Sequence, residues 1–175
     1  MLTEHFTLSL ADMIADALAR YGYSERDTIE HERDTAFYFI MTPRKRMVRY
    51  LCVVSELPEK VKDQAGCLAY FEYVRSLLFR KYAKFPWFKE LGTYSVFVCQ
   101  NELYDQLSSA NEFKDRTGLH GNVMLGTCFV ETMNFRNSTD STWGLYYSGE
   151  HFGAISEAVR QWCSQRKPEA IDDAG

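Results

Sequence analysis

The sequence has little proline and glycine, with 4 and 10 among its 175 residues. Because these residues punctuate turns and linkers, their scarcity leaves little room for long connections. We predict one domain over residues 1–166 and a polar, acidic tail over 167–175 that is disordered. No segment approaches the roughly 20 apolar residues of a membrane span, and the N-terminus lacks a signal-peptide pattern. The sequence therefore predicts a cytoplasmic protein with no membrane partner.

The cysteines form no pattern that is typical of disulfides. There are five of them, an odd number, and they lie 15 to 35 residues apart with no C-x-x-C pair. Most lie inside apolar runs, such as Cys52 and Cys128. Cysteines in such runs are small buried hydrophobes in reducing compartments. We therefore predict five reduced, buried thiols and no disulfide framework.

Several motifs of catalysis and cofactor binding are also missing. The chain has no Gly-rich phosphate loop of either common kind, no G-x-S-x-G elbow and no H-E-x-x-H. We accordingly predict no cofactor and no metal, and the function that we favour is not enzymatic. The net charge of −4 and the pI of about 5.6 argue against nucleic-acid binding, which usually needs a basic face.

Aromatic residues, in contrast, are abundant, at 15% of the chain, and supply large rings for a core. Apolar periodicity predicts a helix through Leu10 and Tyr21 with a capping box at Ser9 and Asp12, and a C-terminal Gly22. The further predicted elements are strands at 26–32, 36–41 and 47–55, a helix at 63–84, a strand at 93–99, a short helix at 102–109, strands at 123–132 and 142–148, and a helix at 152–163. The residues 134–141 are predicted to be a polar loop. The order α-β-β-β-α-β-(α)-β-β-α indicates an α+β fold with a mostly antiparallel sheet and helices packed on it.

Two histidines form the candidate site for an enzyme. His120 precedes one predicted strand and His151 follows the next, so a hairpin of those strands would bring both rings to one end of the sheet, with Glu150 nearby. Two His and one Glu could bind a metal or share acid–base work. The plainer interpretation is that both histidines occupy polar loop ends. A hydrolase or nuclease that uses His120, His151 and Glu150 is the alternative function.

The turn between the second and third predicted strands carries a basic tip, Arg44, Lys45 and Arg46, with Arg49 beyond it. A basic hairpin tip can grip a phosphate backbone, but we favour a solvated turn because the whole chain is acidic. The succession of helix, strands and helix also prompts comparison with the PD-(D/E)xK nuclease core. The strand at 47–55 lacks the acid that this core requires, which counts against a nuclease of that type.

The helix at 63–84 carries an apolar arc that is wider than one face requires. Phe71, Val74 and Leu78 form one stripe, and an adjacent stripe consists of Tyr70, Tyr73 and Leu77. A helix that lies on one sheet covers one stripe, and tyrosine is well suited to interfaces. We therefore predict that Tyr70, Tyr73 and Leu77 bind a partner, with a homodimer as one possibility; burial of both stripes within one chain is the alternative.

The architecture resembles that of type III secretion chaperones and related domains. The matching parts are an opening helix that ends in Arg20-Tyr21-Gly22, three strands that close at Val53-Val54-Ser55-Glu56-Leu57-Pro58, and a closing helix at 152–164. The resemblance implies an acidic, cytosolic and commonly dimeric protein. Similar folds also serve as immunity proteins and binding modules. We therefore predict a non-enzymatic module that binds another protein, as a chaperone-like, immunity-like or inhibitor protein.

Overall fold

A computed structural model describes residues 2–31, 35–43, 48–82, 90–108, 122–141 and 149–167. Its elements are α1 (Leu2–Ala19), β1 (Glu25–His31), β2 (Thr35–Met41), β3 (Val48–Glu56), α2 (Gln64–Tyr82), β4 (Glu90–Cys99), α3 (Asn101–Ser108), β5 (Asn122–Glu131), β6 (Arg136–Ser141) and α4 (Gly149–Ser164). The α+β class and the predicted order of elements are thus confirmed.

The six strands form one sheet in the order of the chain, β1-β2-β3-β4-β5-β6. The pairs β1–β2, β2–β3 and β5–β6 are antiparallel, whereas β3–β4 and β4–β5 are parallel. The prediction of a mostly antiparallel sheet is therefore wrong, and the sheet is mixed. The reason is connectivity: α2 and α3 each join two neighbouring strands, and a crossover helix returns the chain in a parallel direction.

The last strand lies where the sequence predicted a loop. The residues 136–141 pair with β5, from Glu131 with Arg136 to Gly126 with Ser141. Because β6 is an edge strand and consists of Arg136 followed by Ser, Thr, Asn and Asp, it lacks the apolar alternation that marks a strand in the sequence. The predicted strand at 142–148 lies outside the described residues.

The first helix begins earlier than predicted, at Leu2, so Ser9 and Asp12 lie inside it and form no cap. Its C-terminus is as predicted: Gly22 has a φ of 82°, and the backbone N–H of Gly22 donates to Ala19. Glycine is favoured there because other residues rarely adopt a positive φ. The reversal brings Tyr21 and Tyr23 back over the end of the helix.

Two layers of helices cover the sheet, one on each face. In the layer that we name the α2–α3 layer, side chains of α2 and α3 pack on Phe37, Phe39, Phe97 and Phe129. In the α1–α4 layer, α1 and α4 pack on Val54, Val96 and Cys128. Strand residues alternate between the layers because successive side chains point to opposite faces.

The helices α1 and α4 run antiparallel. The first half of α1 meets the end of α4, where the indole Nε1 of Trp162 donates to Ser9 Oγ over 3.1 Å. The end of α1 meets the start of α4, where the ring centroids of Tyr21 and His151 lie 4.6 Å apart. Within the described ranges, no helix is long and apolar enough to cross a membrane.

Candidate functional site

His151, the one predicted catalytic histidine that the structure describes, lies in the first turn of α4 among three tyrosines. Its ring centroid lies 4.6 Å from that of Tyr21, 5.1 Å from that of Tyr50 and 5.4 Å from that of Tyr23. The hydroxyl of Tyr23 lies 3.0 Å from His151 Nδ1. The reversal after α1 supplies two of these rings, and β3 supplies the third.

The electrostatics of this cluster keep Tyr23 protonated. Burial, followed by nearby Tyr94, Cys52 and Tyr50, raises the pKa of Tyr23 well above its usual value, because a buried phenolate would lose its hydration. Tyr23 is therefore a hydrogen-bonding phenol at neutral pH rather than a nucleophile. The cluster ties the end of α1 to the start of α4.

The prediction that His120, His151 and Glu150 lie close together stays a prediction. Glu150 is exposed and His151 is half-buried, and His120 lies outside the described residues. Across the described ranges, no group of three or more His, Cys, Asp or Glu is placed to hold a metal ion.

All five cysteines are buried and unpaired by disulfides, as predicted. Burial raises the pKa of Cys67 and of Cys99 to about 12 and raises that of Cys52 and Cys163 as well. Because the thiolate is the reactive form of cysteine, these four side chains are poor nucleophiles at neutral pH. Their part in the protein is packing.

The three residues of the predicted partner-binding stripe of α2 differ in burial. Tyr70 is buried, its ring stacks on Phe37 of β2 with centroids 6.0 Å apart, and its hydroxyl lies 2.9 Å from Ser55 Oγ. Tyr70 therefore offers no surface to a partner, since the aromatic side chains of β2 reach this second stripe. Tyr73 and Leu77 are half-buried against the same cluster, and their predicted role stays a prediction.

The basic tip Arg44, Lys45 and Arg46 lies outside the described residues. Arg49, which the sequence placed beside it, is buried. Its Nε donates to the carbonyl of Thr42 over 3.1 Å, and its guanidinium forms an ion pair with Glu25. Arg49 therefore belongs to the sheet rather than to a phosphate-binding surface.

The sequence pattern did not predict the buried carboxylate that organises the turn between β5 and β6. The carboxylate of Glu131 is fully buried and accepts hydrogen bonds from the backbone N–H groups of Met133 and Asn134, while Met133 itself is exposed. A signal was present in the sequence: Glu131 ends an apolar run and is followed by a short turn that contains Asn134. A buried carboxylate at such a position needs several donors, which the N–H groups of a turn can supply.

Sequence reasoning also missed a groove on the outer surface of the α1–α4 layer. Its volume is about 360 Å³. Met13 and Ala17 of α1 and Ala154 and Ala158 of α4 form its apolar part. The charged and polar part consists of Asp16, Arg20, Glu157 and Gln161. It was missed because it depends on how two helices pack that are far apart in the sequence.

Comparison with known proteins found no relative of this chain. No family model, no curated protein and no solved structure matches the chain.

Proposed function

We propose that this chain is a non-enzymatic module that binds another protein in the cytoplasm, in the manner of a chaperone, an immunity protein or an inhibitor. The observation that carries the proposal is the groove between α1 and α4. The architectural resemblance to type III secretion chaperones supports the same class of function, because those domains act by binding proteins.

The groove has the size and shape to bind one long side chain. The small side chains of Ala17, Ala154 and Ala158 let the two helices lie close while leaving a depression above them. Its volume of about 360 Å³ is at the lower end of small-molecule pockets, roughly 300–1,000 Å³. An anchor side chain from a partner's helix or loop therefore fits it better than a large ligand does.

The charges around the groove favour a basic anchor. Asp16 and Glu157 lie on its α1 and α4 sides, and both are exposed. The basic residue of the lining, Arg20, places its guanidinium 4.9 Å from the ring centroid of Tyr21. Asp16 pairs with Arg26 and Glu157 with Arg160, and such exposed pairs contribute little to stability. A partner's Lys or Arg can therefore replace them, with its aliphatic stem on the alanines and its charge directed to the two carboxylates. The acidity of the whole chain would steer such a partner toward it.

A crosslinking experiment tests the proposal. A photo-crosslinking amino acid at Gln161, which lines the groove, should capture one stoichiometric partner in cells of the source organism. The same group at Ser164, the exposed last residue of α4, which does not line the groove, is the matched control. With the captured protein purified, Glu157→Lys should weaken binding about tenfold or more, as expected for a reversed interfacial charge. Equal capture from both positions, or unchanged affinity in Glu157→Lys, would exclude the groove.

We also propose self-association through the exposed flank of α2 at Tyr73 and Leu77. Both are half-buried, so a second copy could cover the remainder of each side chain in a C₂ arrangement. Sedimentation at micromolar concentration should then show a dimer that Tyr73→Glu dissociates without loss of helical signal. A monomer at every concentration would remove this part of the proposal and leave the groove unaffected.

A further inference from the structure

We propose that His151 is a pH-sensitive latch between the end of α1 and the start of α4, and that its protonation loosens this junction together with the end of the groove beside it. The latch is carried by the ring cluster around His151 and does not depend on the proposed function. Its consequence for binding rests on that function, because it regulates the same groove.

The cluster joins three elements that are far apart in the sequence. The His151 ring, in the first turn of α4, contacts the rings of Tyr21 and Tyr23 after α1 and that of Tyr50 in β3. The hydroxyl of Tyr23 lies 3.0 Å from His151 Nδ1. Histidine is the side chain whose ordinary pKa, about 6.5, lies nearest to neutral pH. Moderate acidification therefore changes the charge at the centre of the cluster.

The hydrogen bond with Tyr23 is suited to the neutral form of His151. Because burial keeps the Tyr23 hydroxyl protonated at neutral pH, this hydroxyl can donate its hydrogen to an Nδ1 that carries none. Protonation of His151 places a hydrogen on Nδ1, so the Tyr23 hydroxyl must accept instead and direct its own hydrogen elsewhere. Tyr23 is only 4% exposed, and a buried donor that loses its partner destabilises the folded state. The junction is therefore weaker when His151 is charged.

The charges around His151 act mostly in the same direction. The first turn of a helix is the positive end of its dipole, where a cation is unfavourable. The guanidinium of Arg20 lies 4.9 Å from the centroid of the Tyr21 ring, and the His151 ring lies 4.6 Å from the same centroid, so a protonated His151 would add a second cation beside that ring. The opposing groups are the tyrosine rings, which attract cations, and the carboxylate of Glu150, which is exposed and therefore screened by water and salt. The burial of the Tyr23 hydroxyl decides the balance against the charged form.

The reversal after α1 is the part of the junction that should yield. The start of α4 is held on the sheet by Phe152, whose ring stacks on that of Tyr94 with centroids 5.8 Å apart. The reversal is held by hydrogen bonds from the backbone N–H groups of Tyr21 and Gly22 to carbonyl groups of the last turn of α1. Helix ends open more readily than helix interiors, so these two amides should report the state of the latch.

The groove between α1 and α4 shares this end of the two helices. Arg20, whose guanidinium lies over the ring of Tyr21, lines the groove from α1, and Ala154, about one turn after His151, lines it from α4. A looser junction changes the spacing of these two lining residues. Binding in the groove should therefore weaken as the pH falls.

NMR spectroscopy of the histidine nitrogens tests the latch in the full chain. At pH 8, Nδ1 of His151 should have the chemical shift of an unprotonated nitrogen, and its titration midpoint should be lower than in the urea-unfolded protein. In Tyr23→Phe the midpoint should rise, because the neutral form loses its hydrogen bond. Tyr21→Phe keeps the ring and the hydrogen bond of Tyr23, and as the matched control it should leave the midpoint unchanged. A hydrogen on Nδ1 in the neutral form, or equal midpoints in the folded and unfolded protein, would overturn the latch.

Amide hydrogen exchange measures the loosening itself. If protonation of His151 is about tenfold less favourable in the folded cluster than in the unfolded chain, the protection factors of Tyr21 and Gly22 should fall about fivefold between pH 7.5 and 5.5. His151→Gln cannot titrate, and its side-chain oxygen can still accept from Tyr23, so it should show no such fall. Equal falls in the parent and in His151→Gln would assign the loosening to another group and overturn the latch. Should His151→Gln fail to fold, Tyr23→Phe supplies the comparison, because its protection factors should depend less on pH than those of the parent.

The consequence for binding is tested with the protein that position 161 captures. Its dissociation constant for the parent chain should rise about threefold to fivefold between pH 7.5 and 5.5, since the coupling cannot exceed the cost of protonation. The dissociation constant for His151→Gln should stay within about twofold, which removes titration of the captured protein as a cause. Equal weakening for both chains would overturn the regulation of the groove and leave the latch standing. If position 161 captures no protein, the proposed function fails, whereas the titration and the exchange measurements still decide the latch.

Discussion

The two helical layers cover the same sheet in different ways. In the α1–α4 layer the packing is tight: a Cβ added to Gly126 would lie 2.4 Å from a ring carbon of Phe152. In the α2–α3 layer, large rings enclose hydroxyl groups, and Ser95 Oγ, on a residue that is 1% exposed, has no hydrogen-bond partner in the part of the chain that the structure describes. The α1–α4 layer has no room for a methyl group at Gly126, whereas the α2–α3 layer contains an unsatisfied hydroxyl group. An added methyl group at Gly126 and a removed hydroxyl group at Ser95 should therefore change stability in opposite directions.

The largest expected effects come from removing one large ring from each layer. Trp162→Ala in the α1–α4 layer and Phe97→Ala in the α2–α3 layer should each lower the free energy of unfolding by about 3–5 kcal/mol. Both side chains are fully buried, and Trp162 also bonds to Ser9. Urea unfolding followed by circular dichroism would measure the loss. A cost below about 1.5 kcal/mol for either variant would show that its layer repacks readily.

A smaller effect tests the lack of room in the α1–α4 layer. Gly126→Ala should destabilise the protein by about 1–3 kcal/mol, because the new methyl group meets the ring of Phe152. Gly153→Ala is the matched control on α4. A Cβ there meets nothing within 4 Å, and alanine in a helix is favoured over glycine by roughly 0.5–1 kcal/mol. The melting temperature should fall in the first variant and rise in the second; equal shifts would refute tight packing at Gly126.

The sequence predicted most elements of both layers, because amphipathic periodicity is local. It failed on the direction of pairing at β3–β4 and β4–β5, since a run of apolar strand residues looks the same in parallel and antiparallel sheets. It also failed at β6, whose polar residues give no alternation to detect. In both cases the decisive information was the neighbouring strand rather than the segment itself.

The candidate sites were less predictable than the fold. His151 was selected because it follows a predicted strand, but its contact with Tyr23 joins residues 128 positions apart. The groove needs α1 beside α4, which no local pattern specifies. The turn after Glu131 was the most predictable of these sites from a local pattern, since every donor lies within five residues of the carboxylate. It was missed because Glu131 was read as an ordinary strand residue.

In the α2–α3 layer we expect a small substitution to change stability in the direction opposite to that of Gly126→Ala. Ser95→Ala removes a buried hydroxyl that has no partner in the described ranges, and should leave stability unchanged or raise it by up to about 1 kcal/mol. Ser55→Ala is the control, because Ser55 Oγ is buried but lies 2.9 Å from the hydroxyl of Tyr70. Its loss should cost about 1 kcal/mol. Urea midpoints that fall equally in both variants would show that Ser95 is satisfied in solution.

The smallest effect concerns the outer edge of the α2–α3 layer, where Asp27 of β1 joins α2. Its carboxylate lies 2.7 Å from Lys81 Nζ and accepts from the hydroxyl of Tyr82 over 2.8 Å. Burial alone would raise the pKa of Asp27, but the hydrogen bonds from Lys81 and Tyr82 and the charge of Lys81 outweigh it, and the pKa is lowered.

The lowered pKa of Asp27 determines how stability depends on pH. A carboxyl whose pKa is lower in the folded state stabilises the protein above its unfolded pKa, about 3.9, and this contribution is lost as the pH falls through the folded value. Asp27 is about one-third exposed, so the contribution should be only a few tenths of a kcal/mol. Asp27→Asn should therefore be slightly less stable than the parent at pH 7, and the difference should shrink below about pH 4. Asp12→Asn breaks the exposed pair with Arg26 on the other face and should change stability by less than about 0.5 kcal/mol. A difference between parent and Asp27→Asn that persists unchanged at pH 3 would show that the carboxylate acts through packing instead of charge.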